Sequence, residues 1–353
     1  MRVRSTIRFL VGSAVAFALL RAAASSAADA PAAPPPPPAL ARASPADVTK
    51  FLAGWAEAVG KDVDEATGYP RRVKRSKDGG EMVLIPAGTF QMGAVPGDTE
   101  ARDNEKPRHA VTLSKAYYMD EHEVTNEQFD RFATATSHKT MAEKVGKGDM
   151  ADDAGRWKLT DGASWRAPLP DGKQPSDWKR HPVVFVAWDD AKAYSDWAGA
   201  ALPTEAQVER ALRGGEEGKR YPWGDALPPP AKSGNFADAA ARRAFAKWPW
   251  TIAGYDDGYE RTAPAKSFAP NAYGLYDVSG NVWEWTADWY AADYYTNTPS
   301  RDPVGPASGT ARVLRGGSWS YDGITSLRAS YRGTHAPAAA ADLFGFRCTR
   351  SVP

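Results

Sequence analysis

The sequence predicts an irregular, loop-rich α+β domain, and three observations carry that prediction. Glycine and proline occur 31 and 28 times in 353 residues, so chain breaks come too often for long regular elements. Strand-like pieces are short and bounded by turn residues, at 82–85, 110–113, 183–186, 312–314 and 345–348. Two capping boxes, Thr125 with Gln128 and Thr204 with Gln207, mark helix starts among these pieces.

In chain order, residues 1–30 begin with Arg2, Arg4 and Arg8, continue through the apolar run FLVGSAVAFALL, and end in AAASSAADA. A cationic start, a short apolar run and small residues at a cleavage point describe an export signal. The run falls short of the roughly 20 residues that span a bilayer, so a cleaved signal and a soluble periplasmic or secreted product are expected. Residues 31–43 hold PAAPPPPPAL, a polyproline spacer that cannot build a core. Within an extension over 44–80, Ser44, Pro45 and Asp47 supply an N-cap, a first-turn proline and an acid at the third position. Val48, Phe51, Leu52, Trp55 and Val59 share one helical face, which predicts a short helix docked on the main domain over 81–350. Further helices are expected after Thr125, over 190–198 and after Thr204, with 149–179 a long loop between the first two.

Composition excludes several function classes. Lys and Arg number 44 against 43 acids, interspersed, so neither nucleic acid nor an anionic membrane is attracted in bulk, and no stable membrane insertion is expected after signal cleavage. One cysteine, Cys348, cannot form an intramolecular disulfide even in an oxidising compartment, and it reads as a small buried residue of a terminal strand. No GxxxxGK[ST] loop is present, and Gly-Gly-Ser-Trp around Ser318 lacks the G-x-S-x-G elbow. His109, His122, His138, His181 and His335 show no compact ligand spacing, and non-haem iron is not expected.

Six strings stand in a particular order: MVLIPAGTFQMG from Met82, DEHEVTNEQF from Asp120, HPVVFVAWDDAKAYSDWAGAALPTEA from His181, RYPWGD from Arg220, GLYDVSGNVWEWTADWY from Gly274, and RVLRGGSWSYDGITSLRASYRGTHAPAAAADLFGFR from Arg312. Together, over roughly 81–348, they resemble the formylglycine-generating enzyme (sulfatase-modifying factor) family. The resemblance implies a variant of the C-type-lectin fold. It also implies where the reactive centre would stand, because the family's copper enzymes carry two cysteines shortly after the Gly-Gly-Ser. Here those positions hold Tyr321 and Ser326. Soft paired thiolates suit Cu(I) and hard oxygens do not, so copper is not expected. The active-loop positions are thus Ser318, Tyr321 and Ser326, with no residue assigned a catalytic role. The substrate groove implied by the resemblance follows the Gly-Gly-Ser turn and takes in Ser318, Trp319, Tyr321, Asp322, Arg328 and Arg332.

The same resemblance implies two structural calcium ions. One is held by Asp277 and Glu284 side chains with the Gly280 and Val282 carbonyls, an oxygen mixture suited to a hard cation. The other maps onto Asn235 and Asp257 side chains with the Phe236 and Tyr259 carbonyls, across a looser match around AAARR. Isolated acids such as Asp277 and Glu284 also cap turns or pair with arginines. Core packing is the first expectation for Trp283, Trp285 and Trp289, whereas Trp319 and Tyr321 are the surface candidates. Two classes follow: an exported, calcium-stabilised member that binds a protein, peptide or glycan or acts as an accessory factor, or an oxidoreductase of the same family that works without the cysteine pair.

Overall fold

Side-chain alternation in the strand Glu81–Ile85 places the core on both faces of one sheet. Met82 joins a cluster with Tyr118, Phe129, Tyr194 and Phe346, while Val83 and Ile85 join another with Tyr117, Met119 and Leu212. A period of two can serve two cores only when the strand is central. The computed structural model, which describes residues 42–353 apart from Pro249, Tyr321 and Asp322, bears this out. The antiparallel sheet runs Ala56–Ala58, Arg72–Arg75, Glu81–Ile85, Tyr117–Asp120, Thr349–Ser351. The segments read as an export signal, 1–30, and most of the spacer, 31–41, lie outside the described residues.

The extension over 44–80 is part of this architecture. Its helix Pro45–Leu52 has the expected cap, with Ser44 Oγ accepting from the Asp47 amide at 3.2 Å and Asp47 accepting from the Ser44 amide at 3.1 Å. Phe51 packs on Tyr69, Trp55 and Tyr118, but Val59 lies past the helix and past the first strand. Ala56–Ala58 is an edge strand of the main sheet and Arg72–Arg75 lies beside it, so the extension pairs directly with the domain that follows.

A second sheet, in the order Gly333–His335, Arg312–Arg315, Trp283–Trp289, Phe344–Gly345, carries the motifs of the C-terminal third. Three expected elements differ from the sequence reading. Residues 183–186 form no strand: Phe185 takes the left-handed region at φ 58°, and the segment is instead held by bonds from Val183 N to Val124 O and Phe185 N to Ala341 O, both 2.9 Å. The run 345–348 is divided, Phe344–Gly345 pairing parallel with Trp283–Glu284 before Thr349–Ser351 joins the first sheet. The loop over 149–179 opens with one arm of a hairpin, Lys147–Ala151 paired with Trp157–Asp161.

The helices Asn126–Thr136 and Glu205–Arg213 start at the expected capping boxes, with Thr125 N bonded to Gln128 at 2.8 Å and Thr204 N to Gln207 at 2.9 Å. Between them, Trp188–Trp197 begins two residues before the expected 190, since Asp190 reaches back to the Ala187 amide at 3.0 Å. Among the described residues, no helix is long and apolar enough to cross a membrane.

Candidate functional site

The loop after Arg315 turns on two glycines with φ of 92° and 75°. A Cβ at Gly317 would lie 2.6 Å from Leu327 Cδ2 and 3.1 Å from Ser326 O, so the turn packs directly against the short 3-10 turn Ile324–Leu327. Trp319, expected at the surface, is buried instead. Trp319 is 0% exposed, stacked near Trp248 and Phe245, with its indole N–H donating to Asp342 O at 3.1 Å. Ser318 is buried with its hydroxyl 2.9 Å from that of Ser320, and Ser326 donates to Gly323 O at 2.8 Å. Tyr321 and Asp322 lie outside the described residues.

Arg328 and Arg332 are not open groove residues either. Arg328 donates to Asp98 at 2.9 Å and to both oxygens of Glu105 at 2.6 and 2.7 Å, and Arg332 forks onto Glu205 at 2.7 and 2.9 Å. Arg315 bonds Glu209 at 2.7 Å beside them. These buried bidentate pairs tie the loop to helix Glu205–Arg213 and to the 98–105 segment; they leave little guanidinium free for a ligand.

What lies open is a cleft of about 600 Å³ next to this loop. Trp157, Trp283, Tyr331 and Phe344 wall it, with Arg102, Asp149 and His335 among its polar groups and Arg332 at its margin. Arg102 stacks over Tyr331 at 4.6 Å. His335 Nδ1 accepts from the Ala336 amide at 3.1 Å, which leaves Nε2 to carry the proton in the neutral ring, and burial holds this imidazole below its usual range. The sequence reading missed these residues because they are scattered from 102 to 344 and share no spacing. Only folding of the hairpin Lys147–Ala151/Trp157–Asp161 beside the second sheet assembles them.

The acidic positions fall into two groups. In the first, Asp277 has φ 52° and Gly280 φ 84°; a Cβ on Gly280 would meet Asn235 O at 2.1 Å. Asp277 Oδ2 accepts from the Lys266 amide at 2.8 Å, while Oδ1 is buried with no hydrogen-bond partner. Burial, opposed by that hydrogen bond, pushes its carboxyl up to about 6. Glu284 is in the arginine-paired state, with Arg347 donating to both of its oxygens at 2.6–2.9 Å. A residue outside the expected set joins this group. Glu123, fully buried, has an unpartnered Oε1 and a carboxyl pushed well up by burial and by Asp277, with Glu284 adding to it. Its signal was available in DEHEVTNEQF, as an acid inside one of the ordered strings.

The second group holds one orphaned oxygen. Asn235 Oδ1 is buried without a partner, its Nδ2 donating to Arg261 O at 2.7 Å. Asp257 caps the Phe236 and Tyr259 amides at 2.8 Å each, and burial raises its carboxyl to about 7. Orphaned buried oxygens at Asn235, Asp277 and Glu123 are what a hard cation would satisfy, so the chemistry of both sets fits calcium. No group of three or more His, Cys, Asp or Glu side chains is arranged as metal ligands among the described residues. A calcium site completed by amide and carbonyl oxygens needs none.

Residues 68–352 match the family model of the sulfatase-modifying factor enzyme 1-like domain. The chain belongs to this family. It is 41% identical over 292 residues to the formylglycine-generating enzyme of Thermomonospora curvata, covering 76% of this chain and 92% of that one. It is also 36% identical over 291 residues to the inactive C-alpha-formylglycine-generating enzyme 2 of Bos taurus, covering 76% and 87%. Among solved structures, PvdO from Pseudomonas aeruginosa superposes with a TM-score of 0.61 at 28% identity, covering 79% of this chain and 97% of that chain. The family thus spans relatives named for the activity and relatives named for its absence, and the decision for this chain rests on its own residues.

Proposed function

We propose that this is an exported, calcium-stabilised member of the family that has lost copper-dependent cysteine oxidation and serves as a binding or accessory protein for a peptide, protein or glycan. The observation that carries the reading is the buried hydroxyl of Ser326 at a position where the family's copper enzymes have a thiol. Tyr321 stands at the other. Cys348 cannot stand in for either: it is fully buried, its sulfur lies 3.3 Å from Ser195 Oγ, and burial holds its thiol well above the usual range.

The aromatic cleft supplies the ligand surface in this reading. Four aromatic rings with Arg102 and the neutral donor His335 suit an extended chain with polar groups, or a sugar ring, better than they suit an apolar ligand. Export rests on residues 1–30, and the calcium ions would bind Asn235, Phe236, Asp257 and Tyr259, and Asp277, Gly280 and Val282 with Glu123 or Glu284.

A competition titration with a Cu(I) chelator tests the loss of the copper centre. Wild-type protein is expected to take up no tightly bound Cu(I), whereas Tyr321→Cys with Ser326→Cys gains measurable affinity. Stoichiometric Cu(I) on the wild type would overturn the reading and favour an oxidoreductase.

A further inference from the structure

A separate concavity of about 370 Å³ collects cations from four stretches of chain: Lys74, Arg131, Lys179 with Arg180, and Lys266. Its two carboxylates offset only one of them, Arg131. Asp78 is buried and engaged by Arg75 at 2.6–3.1 Å and by Tyr194, and Glu127 pairs with Arg131 at 3.3 Å. Lys266 is bound to Glu121. Among the described residues this leaves Lys74, Lys179 and Arg180, all exposed, with no carboxylate within ion-pair distance. The chain as a whole carries a net charge of only +1, so the local excess does not follow from a basic composition. Like charges facing one concavity repel, and a concave wall focuses their field on whatever enters.

Part of the wall is fixed in place. Arg131 Nη1 donates to Asp78 O at 2.8 Å and lies over Gly79, a glycine with left-handed φ of 73°; a Cβ built there would sit 3.1 Å from that nitrogen. Arg180 is anchored through its backbone, its carbonyl accepting from Ala265 N at 2.9 Å, while its guanidinium is free. A planar fork flanked by two ammonium groups matches a tetrahedral oxyanion, which offers several acceptor oxygens and more than one charge. A single carboxylate would satisfy the fork and leave the lysines unpaired.

We propose that this cleft binds the phosphate or sulfate group of a small molecule, with Arg180 gripping the oxyanion and Lys74 and Lys179 flanking it. None of these residues belongs to the aromatic cleft or to either calcium set, so the proposal stands apart from the binding function inferred above.

Calorimetric titration of the full chain with inorganic phosphate, pyrophosphate and sulfate at constant ionic strength tests it, with acetate and chloride as comparison anions. Saturable one-to-one binding of phosphate or sulfate, much tighter than acetate, is expected, and the tighter of the two names the ligand class. Arg180→Glu should weaken binding by at least about tenfold, whereas Lys144→Glu, an equal change in net charge elsewhere, leaves it within about twofold. If Arg180→Glu does not fold, Lys74→Ala with Lys179→Ala, both at exposed side chains, should give the same loss. Equal binding of acetate and phosphate, absence of saturable heat, or equal effects of the Arg180 and Lys144 variants would overturn the proposal.

Discussion

Single residues here are often held in states that water would not permit, and Asp288 is the clearest. It is buried, its Oδ2 accepts from the Glu205 amide at 2.8 Å, and burial together with the neighbouring Glu205 charge pushes its carboxyl up to about 8. A folded-state value above the unfolded one means that the fold prefers the protonated acid. The stabilisation is fully present below about pH 4 and is lost as the pH rises through about 8. Asp288→Asn, which fixes the neutral form, should therefore melt like the wild type near pH 4 and be more stable at pH 8.5, by on the order of 2–4 kcal/mol. Denaturant titrations of both proteins across that range check this; parallel curves would show that Asp288 is not the group responsible. Glu123 makes a related point, since an acid with an unpartnered buried oxygen was visible as a letter in the sequence but not as a neighbour of Asp277.

Among elements, the loop following Arg315 shows why motif position does not reveal exposure. The Gly-Gly-Ser-Trp string and its place after a strand were legible, and so were the capping boxes, because each depends on neighbours within a few residues. The burial of Trp319 was not, since it depends on Trp248 and Phe245, some 70 residues earlier. Nor could the sequence reveal that Arg328 is spent on Asp98 and Glu105. Strand 183–186 failed for a similar reason: its apolar run is buried as expected, but Phe185 takes a left-handed conformation as its ring packs beside Gly148, where an added Cβ would lie 2.4 Å away. Arg328→Leu should leave two acids buried without their partner and cost about 3–5 kcal/mol, seen as a lower denaturation midpoint. A loss below about 1 kcal/mol would return Arg328 to the groove as a ligand-facing residue.

At the scale of the whole molecule, the fold was readable because six strings in fixed order specify it, and the sheet that joins residues 56–58 to 349–351 shows both ends of the described chain cooperating. The proposed calcium ions would act on the molecule as a whole, because the loops that would hold them touch where Gly280 meets Asn235. Ligand that binds only the folded state adds about 2.7 kcal/mol at a hundredfold excess over its Kd. Chelation should thus lower Tm, calcium should restore it, and Asn235→Ala with Asp277→Ala should abolish the response; a Tm unmoved by chelator and by added calcium would show that no stabilising calcium binds.

In the proposed function the scaffold persists without its oxidase chemistry. The most direct measurement incubates copper-treated wild-type protein, under oxygen, with a peptide bearing Cys-x-Pro-x-Arg and follows conversion of cysteine to formylglycine by mass spectrometry. With Tyr321 and Ser326 in place of the paired thiols and Cys348 sealed in the core, no catalytic turnover is expected. Repeated turnover that requires copper would contradict it.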